Sequence, residues 1–286
     1  MSERKRFSLV TGCGQGGIGE ALVTEYLRRG IRPIATILPS ESSRHLADRG
    51  IDWFTLDVTR EDSVTRLKQD VGHLTGGFLD VLVNNAYITF DSLAYTMTAI
   101  DTDVTEVQHM FDVNVFGPMR MIRHFHGMLI TSAGTIVNIG SVGGIVPYVY
   151  GSAYNATKAA LHHWSNTLRV EMAPLGVKVL TIISGEIGTN ILKRDMERKL
   201  PQESYYAPLA AEFEQHVQRT PNTTDRFVYA ENVVGQSLKP HPPAWFWYGN
   251  TTLLVRLLDT FAWHTIWDYI FRAIFNLGKL AKAKRE

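Results

Sequence analysis

The chain has one cysteine, Cys13, in 286 residues, so no disulfide can form within it and a reducing compartment is expected. It has no run of about 20 uncharged apolar residues, which argues against a membrane-spanning helix. Excess charge of either sign is also missing. The 29 Lys and Arg against 28 Asp and Glu leave a formal net charge of +1, so there is no electrostatic case for nucleic acid as a partner. The opening MSERKRFSLV is charged and runs straight into an apolar stretch, so no cleavable signal peptide is expected and the location should be cytoplasmic. Repeats, low-complexity tracts and long linkers are absent, and the reading is one domain. Apolar residues, at 45%, are ample for a large core.

The chain alternates short apolar strands with helical patterns, the signature of an α/β fold with a parallel sheet. Phe7 to Thr11 is a strand. It runs into the glycine turn Thr11-Gly-Cys-Gly-Gln-Gly-Gly-Ile-Gly19 and then a helix from Glu20 to Arg29. Strand, glycine turn and helix in that order point to a dinucleotide, because the backbone can approach a pyrophosphate and the helix start offers free N–H groups. The second strand, Arg32 to Ile37, ends without the acid that usually holds the 2′-hydroxyl of NAD. Ser40, Ser42, Ser43 and Arg44 follow and are expected to accept a 2′-phosphate, with the serines equally readable as a helix cap and Glu41 opposing the phosphate. Asp52 to Asp57, Leu79 to Val83, Gly134 to Gly140, Val177 to Ile183 and Ala244 to Tyr248 read as further strands. Helices are expected at Arg60 to Leu74, Asp101 to Phe111, Asn114 to Ile130 and Ala230 to Leu238. An Asn inside a helix is unfavourable and needs a reason; Asn114 is such a residue.

The stretch Ser141 to Lys158, SVGGIVPYVYGSAYNATK, organises the rest. Ser141 follows a buried strand and so lies at the sheet's C-terminal edge, where open parallel sheets bind ligands. Tyr154 and Lys158 share one helix face at i, i+4. A hydroxyl, a phenol and an ammonium can then converge to give a proton to a carbonyl oxygen or take one from an alcohol.

These motifs resemble the short-chain dehydrogenase/reductase family over roughly residues 5 to 250. The resemblance implies a Rossmann-type doubly wound parallel sheet. It places catalysis on Asn114, Ser141, Tyr154 and Lys158, with Asn114 supporting a water that resupplies the proton. The family's glycine turn is met by Thr11, Gly12, Gly16 or Gly17, and Gly19, with one residue extra. The implied cofactor is NADP(H), held by Gly12, Gly14, Gln15, Gly17, Ile18, Gly19, Ser40, Arg44, Asp57, Val58, Asn85, Ala86, Tyr154, Lys158, Gly185, Ile187 and Thr189. No metal is expected. Within the family, the extra residue and the aromatic tail look like fungal 1-acyldihydroxyacetone-phosphate reductase-like members. Three positions depart from the family pattern: Tyr87 replaces a glycine after Asn-Asn-Ala, Ser184 replaces the proline before Gly185, and Leu38 stands where NADP-preferring relatives often carry arginine.

The expected activity is reduction of a ketone on a lipophilic small molecule to an alcohol, or the reverse. Candidate substrates are an acyl-dihydroxyacetone phosphate of lipid synthesis or a polyketide-type ketone of secondary metabolism. The competing class is a cofactor-binding scaffold or non-redox cyclase, against which the intact Ser141, Tyr154 and Lys158 argue. Asn190 to Phe227 reads as a substrate lid, within a lid span of about 190–228; Lys193, Arg194, Arg198 and Lys199 there make either a phosphate pocket or a solvated helix face. A homo-oligomer is expected. The dehydrogenase domain is read as 1–250 and a helical extension as 251–286. In that tail Leu253, Leu254, Leu257, Leu258 and Phe261 form one stripe. Trp263, Trp267 and Phe271 form a second row, and Ile266, Ile270 and Ile274 a third, before a basic end of Lys279, Lys282, Lys284 and Arg285. This face is expected either to cover the pocket or a subunit interface, or to lie on the endoplasmic reticulum or lipid-droplet surface.

Overall fold

The computed structural model describes residues 4–86, 96–189 and 197–283. Seven strands form one parallel sheet: β1 (Phe7–Val10), β2 (Arg32–Ile37), β3 (Asp52–Thr55), β4 (Val81–Asn84), β5 (Thr135–Ile139), β6 (Lys178–Ser184) and β7 (Trp245–Tyr248). Their order is β3-β2-β1-β4-β5-β6-β7, with every pairing parallel. The chain winds outward from β1 to β3, then returns to lay β4 on the other side of β1. That reversal leaves a crevice at the C-terminal edge between β1 and β4, where doubly wound sheets bind ligands.

The helices are α1 (Ile18–Arg28), α2 (Arg44–Ala47), α3 (Glu61–Thr75), α4 (Val104–Phe111), α5 (Gly117–Thr131), α6 (Ser152–Met172), α7 (Ala210–Val217), α8 (Arg226–Ser237), α9 (Thr252–Phe261), α10 (Ile266–Ile274) and α11 (Gly278–Ala283). One face of the sheet buries Leu22, Val23 and Tyr26 of α1 with Tyr229, Val233 and Val234 of α8. The other buries Val64, Leu67 and Val71 of α3, Phe125 and Leu129 of α5, and Leu168 of α6. Because both faces are covered, the central strands β1 and β4 are buried at every position, as continuous apolar strands require. Local signals set several helix starts. Asp103 accepts from Thr105 N at 2.8 Å to cap α4, and Asp225 accepts from Phe227 N and Val228 N to cap α8.

Two expected elements start differently. The helix expected at Ala230 begins at Arg226, so the last residues of the segment read as a lid belong to α8, which packs on α1. The helix expected from Asn114 begins with a π-helical turn at Asp112–Phe116 before α5 continues it. Such wide turns often mark functional sites.

The extension folds back onto the body. Trp267, Phe271 and Phe275 join Val146, Tyr150, Phe213 and Val217 in a third apolar cluster, with Tyr148 packed against it. Phe275 meets both Tyr148 and Tyr150 edge-on at 5.4 Å. Trp263, expected in the same row as Trp267, is instead 62% exposed, because α9 ends at Phe261 and the continuous helix assumed by the spacing is broken. No helix among the described residues is long and apolar enough to cross a membrane.

Candidate functional site

A single cleft runs along the C-terminal edge of the sheet. One end is walled by the glycine turn after β1. Gly12 takes φ +70°, and a methyl group on it would fall 2.8 Å from Ala86 Cα, so only glycine fits this approach. Gly19 serves the same junction from behind: its Cα faces Gly12 O so closely that a methyl would fall 2.3 Å away. Asn85 ties the two edge loops together, its Nδ2 donating to Thr11 O at 2.8 Å and Gly12 O at 2.9 Å. Thr11 Oγ1 in turn accepts Asn85 N and Ala86 N. Gly14, Gln15, Gly17, Ile18, Asp57, Val58, Asn85 and Ala86 all line this end. Asp57 is held by Thr59, whose N–H and hydroxyl it accepts at 2.9 and 2.6 Å.

Ser40 and Arg44 do not reach the cleft. Both are exposed, and Arg44 faces Asp48 at 3.8 Å with 88% of its side chain open to solvent. The reason is local: the loop after β2 closes on itself, with Glu41 N donating to Leu38 O and Glu41 Oε2 accepting Leu38 N at 3.0 Å. This turn brings Leu38 and Glu41 into the cleft wall in their place. Gly19 likewise supports the turn without lining the cleft.

At the other end, β5 delivers Ser141 and the first turns of α6 deliver Tyr154 and Lys158. The Tyr154 phenol faces the Ser141 hydroxyl across the cleft, and Ser141 Oγ accepts Gly143 N at 3.0 Å. Lys158 Nζ donates to Ile139 O at 2.9 Å and lies 5.7 Å from the centre of the Tyr154 ring. Burial pushes the phenol up to about 12, with the Ser141 hydroxyl opposing, and pulls the Lys158 ammonium down to about 8. Asn114, in the π-helical turn, sits behind this group. Its Nδ2 donates to Thr157 Oγ1 at 3.1 Å, while Oδ1 is buried without a protein partner among the described residues. An Asn whose amide reaches from a distorted turn into α6 accounts for the unfavourable residue within the helical pattern.

Residues 6–200 match the family described as short chain dehydrogenase. The chain belongs to the short chain dehydrogenase family. It is 65% identical over 283 residues to short-chain dehydrogenase virD of Hypocrea virens (strain Gv29-8 / FGSC 10586), which covers 99% of this chain and 97% of that protein. It is 38% identical over 233 residues to the NADPH-dependent 1-acyldihydroxyacetone phosphate reductase of Schizosaccharomyces pombe (strain 972 / ATCC 24843), covering 80% of this chain and 76% of that one. A solved short-chain dehydrogenase from Streptomyces avermitilis superposes with a TM-score of 0.75 at 28% identity, over 94% of this chain and 98% of that structure.

This short chain dehydrogenase carries cleft residues that the motifs did not point to. Tyr148, Tyr150, His216, Arg219 and Glu186 line the end beyond Ser141. Arg219 Nη2 pairs with Glu186 at 3.4 Å and its Nη1 lies 3.1 Å from His216 Nε2. Burial first, then the Arg219 charge, hold His216 down to about 3. His216 is in the last turn of α7 and Arg219 lies two residues past its end, with Nη1 donating to His216 O at 3.0 Å. Gly185, Ile187 and Thr189 line the cleft. Ser184, in the place of the family's proline, shares a 2.6 Å hydrogen bond with the buried Tyr229 hydroxyl. Tyr87, Lys193 and Arg194 lie outside the described residues, as do Lys284 and Arg285. Arg198 and Lys199 do not line the cleft.

Proposed function

We propose that this chain reduces a ketone of a lipophilic small molecule to an alcohol with NADP(H), Tyr154 acting as general acid. The observation that carries this reading is the convergence of Ser141, Tyr154 and Lys158 on one cleft that also holds a glycine turn. The residues fit a dinucleotide. Gly12, Gly14 and Gly17 form a turn in which added methyl groups would fall 2.8 Å from Ala86 Cα, 2.5 Å from Glu41 Oε1 and 3.1 Å from Gly14 O. Gly12, Gln15, Ile18, Asp57, Val58, Asn85, Ala86 and Lys158 would hold it, with Gly185, Ile187 and Thr189 at the far end. When bound, the reduced nicotinamide supplies hydride. NADP(H) is favoured by the S. pombe relative, whose name says NADPH-dependent, and is opposed by the Glu41 carboxylate that the loop after β2 brings into the cleft wall.

With burial holding its proton, Tyr154 is a phenol throughout the physiological range and is therefore loaded to donate. Its hydroxyl hydrogen passes to the carbonyl oxygen as that oxygen gains charge, and Ser141 steadies the same oxygen by a hydrogen bond. The Lys158 ammonium stabilises the phenolate left behind by charge attraction. Asn114 Oδ1, a buried acceptor, supports a water that returns the proton. Apolar and aromatic walls at Val142, Val146, Tyr148, Val149 and Tyr150 favour a lipophilic substrate.

The two candidate substrate classes differ in charge. An acyl-dihydroxyacetone phosphate needs a cation for its phosphate. Among the described cleft residues beyond the cofactor end that role falls to Arg219, already paired with Glu186. A neutral polyketide-type ketone needs none and is the favoured substrate. NADPH oxidation followed at its nicotinamide absorbance, with each substrate in turn, tests this. No oxidation with either class, together with tight NADPH binding, points instead to a scaffold or non-redox cyclase.

We also infer that the chain forms a homo-oligomer, supported by exposed Val104, Phe116 and Val170 on α4 to α6, and testable by light scattering. The extension contacts a membrane or lipid-droplet surface through α9. Leu253, Leu254, Leu257 and Phe261 are all exposed there. Its α10 meanwhile packs on the cleft wall.

A further inference from the structure

Pairing of β5 with β6 ends at Gly140, whose N–H goes to Ile182 O at 2.8 Å. The next amide, that of Ser141, turns toward α6 and donates to His162 Nε2 at 3.2 Å. His162 lies one turn beyond Lys158 and two beyond Tyr154, so all three project from one side of α6. It is 3% exposed. Two glycines make the space it occupies: a methyl group on Gly140 would fall 2.3 Å from Nε2, and one on Gly144 2.5 Å from Cε1. The ring is therefore clamped between the end of β5 and the 3₁₀ turn Val142–Gly144 that follows Ser141. The Trp245 ring, 5.5 Å away, backs it.

We infer that His162 is the positioning residue for Ser141: by accepting the Ser141 amide from beneath, it fixes the loop so that Ser141 Oγ meets Tyr154 and the substrate oxygen. The inference rests on the proposed role of Ser141. The chemistry demands a neutral ring. Nε2 can accept an N–H only while it carries no proton, so the proton sits on Nδ1. Protonating Nε2 would set two donors against each other, close to the Lys158 ammonium. Burial first, then that charge, hold the imidazolium down to about 3. His162 thus carries no proton in the reaction; it acts through geometry.

A double-mutant comparison tests this. His162→Leu removes the acceptor, whereas His162→Gln returns one through Oε1; each is made in the wild-type and Ser141→Ala backgrounds. His162→Leu is expected to lower kcat for ketone reduction about 10- to 100-fold, the scale of a misplaced catalytic group, with NADPH affinity unchanged within about twofold. His162→Gln recovers most of that loss without moving the pH profile. In Ser141→Ala the same His162→Leu change costs less than about twofold, because the group it positions is gone. An equal loss in both backgrounds overturns the inference, as does a shifted pH profile in His162→Gln, which would make the ring a proton carrier. Hydrogen exchange of segment 140–146 gives a reading independent of turnover: faster in His162→Leu, protected in His162→Gln. Unchanged exchange in His162→Leu also overturns it. If His162→Leu does not fold, His162→Phe serves as the acceptor-free variant. A wild-type enzyme that oxidises no NADPH with any ketone overturns the proposed function, and the exchange measurement then decides the positioning role by itself.

Discussion

Glu41 folds over Gly14: its Oε2 accepts the Leu38 amide at 3.0 Å, and a methyl group on Gly14 would fall 2.5 Å from its Oε1. A carboxylate thus faces the glycine turn at the end where the adenosine ribose is expected, while Arg44 points to solvent. Removing that charge relieves repulsion of a 2′-phosphate. Glu41→Gln is expected to tighten NADPH binding about tenfold, or 1.4 kcal/mol, and to leave NADH affinity nearly unchanged. Arg44→Ala should alter neither, since its partner is the exposed Asp48. Titration of cofactor fluorescence measures all four constants, and weaker NADPH binding in Glu41→Gln would refute this account.

Tyr154→Phe removes the phenolic proton and keeps the ring. Turnover should fall by about 10²–10⁴-fold, the usual contribution of a general acid, with cofactor affinity largely intact. Lys158→Met should impair both turnover and NADPH binding. Steady-state rates and a separate binding titration distinguish the two patterns; near-normal turnover in Tyr154→Phe would end the mechanism.

The glycine turn, the order of strands and helices, and the convergence of Ser141, Tyr154 and Lys158 were legible because each depends on local chain geometry. A β1 strand running into glycines admits few structures, and i, i+4 spacing on α6 puts two side chains on one face wherever the helix lies. What stayed hidden depends on how distant segments meet. The turn that brings Glu41 inward and throws Ser40 and Arg44 outward arises from two hydrogen bonds between Glu41 and Leu38. His162 becomes meaningful only when Gly140 and Gly144 are known to close around it. The break between α9 and α10 divides a tail whose apolar spacing reads as nearly continuous, and so buries Trp267 while exposing Trp263.

The pH response follows from the buried bases. Lys158, held down to about 8 by burial, is an ammonium below that value. Ketone reduction should therefore decline as pH rises through about 8, where the charge that supports the phenolate is lost. Stability runs the other way: between about 8 and 10.5 the unfolded chain binds a proton that the folded chain does not, so folding gains as pH rises. On the acid side His162 and His216, both held down to about 3, favour the folded state above 6.5, and that advantage is lost as pH falls from 6.5 toward 3. Melting temperatures from pH 4 to 8 should fall on acidification, less steeply in His162→Gln. A profile in that variant as steep as the wild type would contradict the assigned burial.

The extension should divide into a structural half and a surface half. Trp267 and Phe271 are 6% and 7% exposed, stack on each other at 5.6 Å and belong to the cleft-wall cluster. Trp267→Ala or Phe271→Ala is expected to cost about 3–5 kcal/mol and to raise KM for a lipophilic ketone, because Tyr148 and Tyr150 lose their backing. Truncation after Gly249 should be worse still, since it strips the whole cluster's outer side. On α9 the situation is opposite. Leu253 and Leu257 are 70% and 47% exposed, so Leu253→Asp with Leu257→Asp should change stability by no more than about 0.5 kcal/mol per site. The same pair of changes places two carboxylates on the face proposed to enter a bilayer, where burying an unpaired charge is costly. Wild-type protein should sediment with phosphatidylcholine vesicles containing phosphatidylserine, and the double variant should remain in the supernatant while reducing soluble ketones at the wild-type rate. Wild-type protein that never sediments removes the membrane from the account. Loss of folding in the double variant would instead show that α9 is covered in the native assembly, and light scattering would then identify a second copy as its cover.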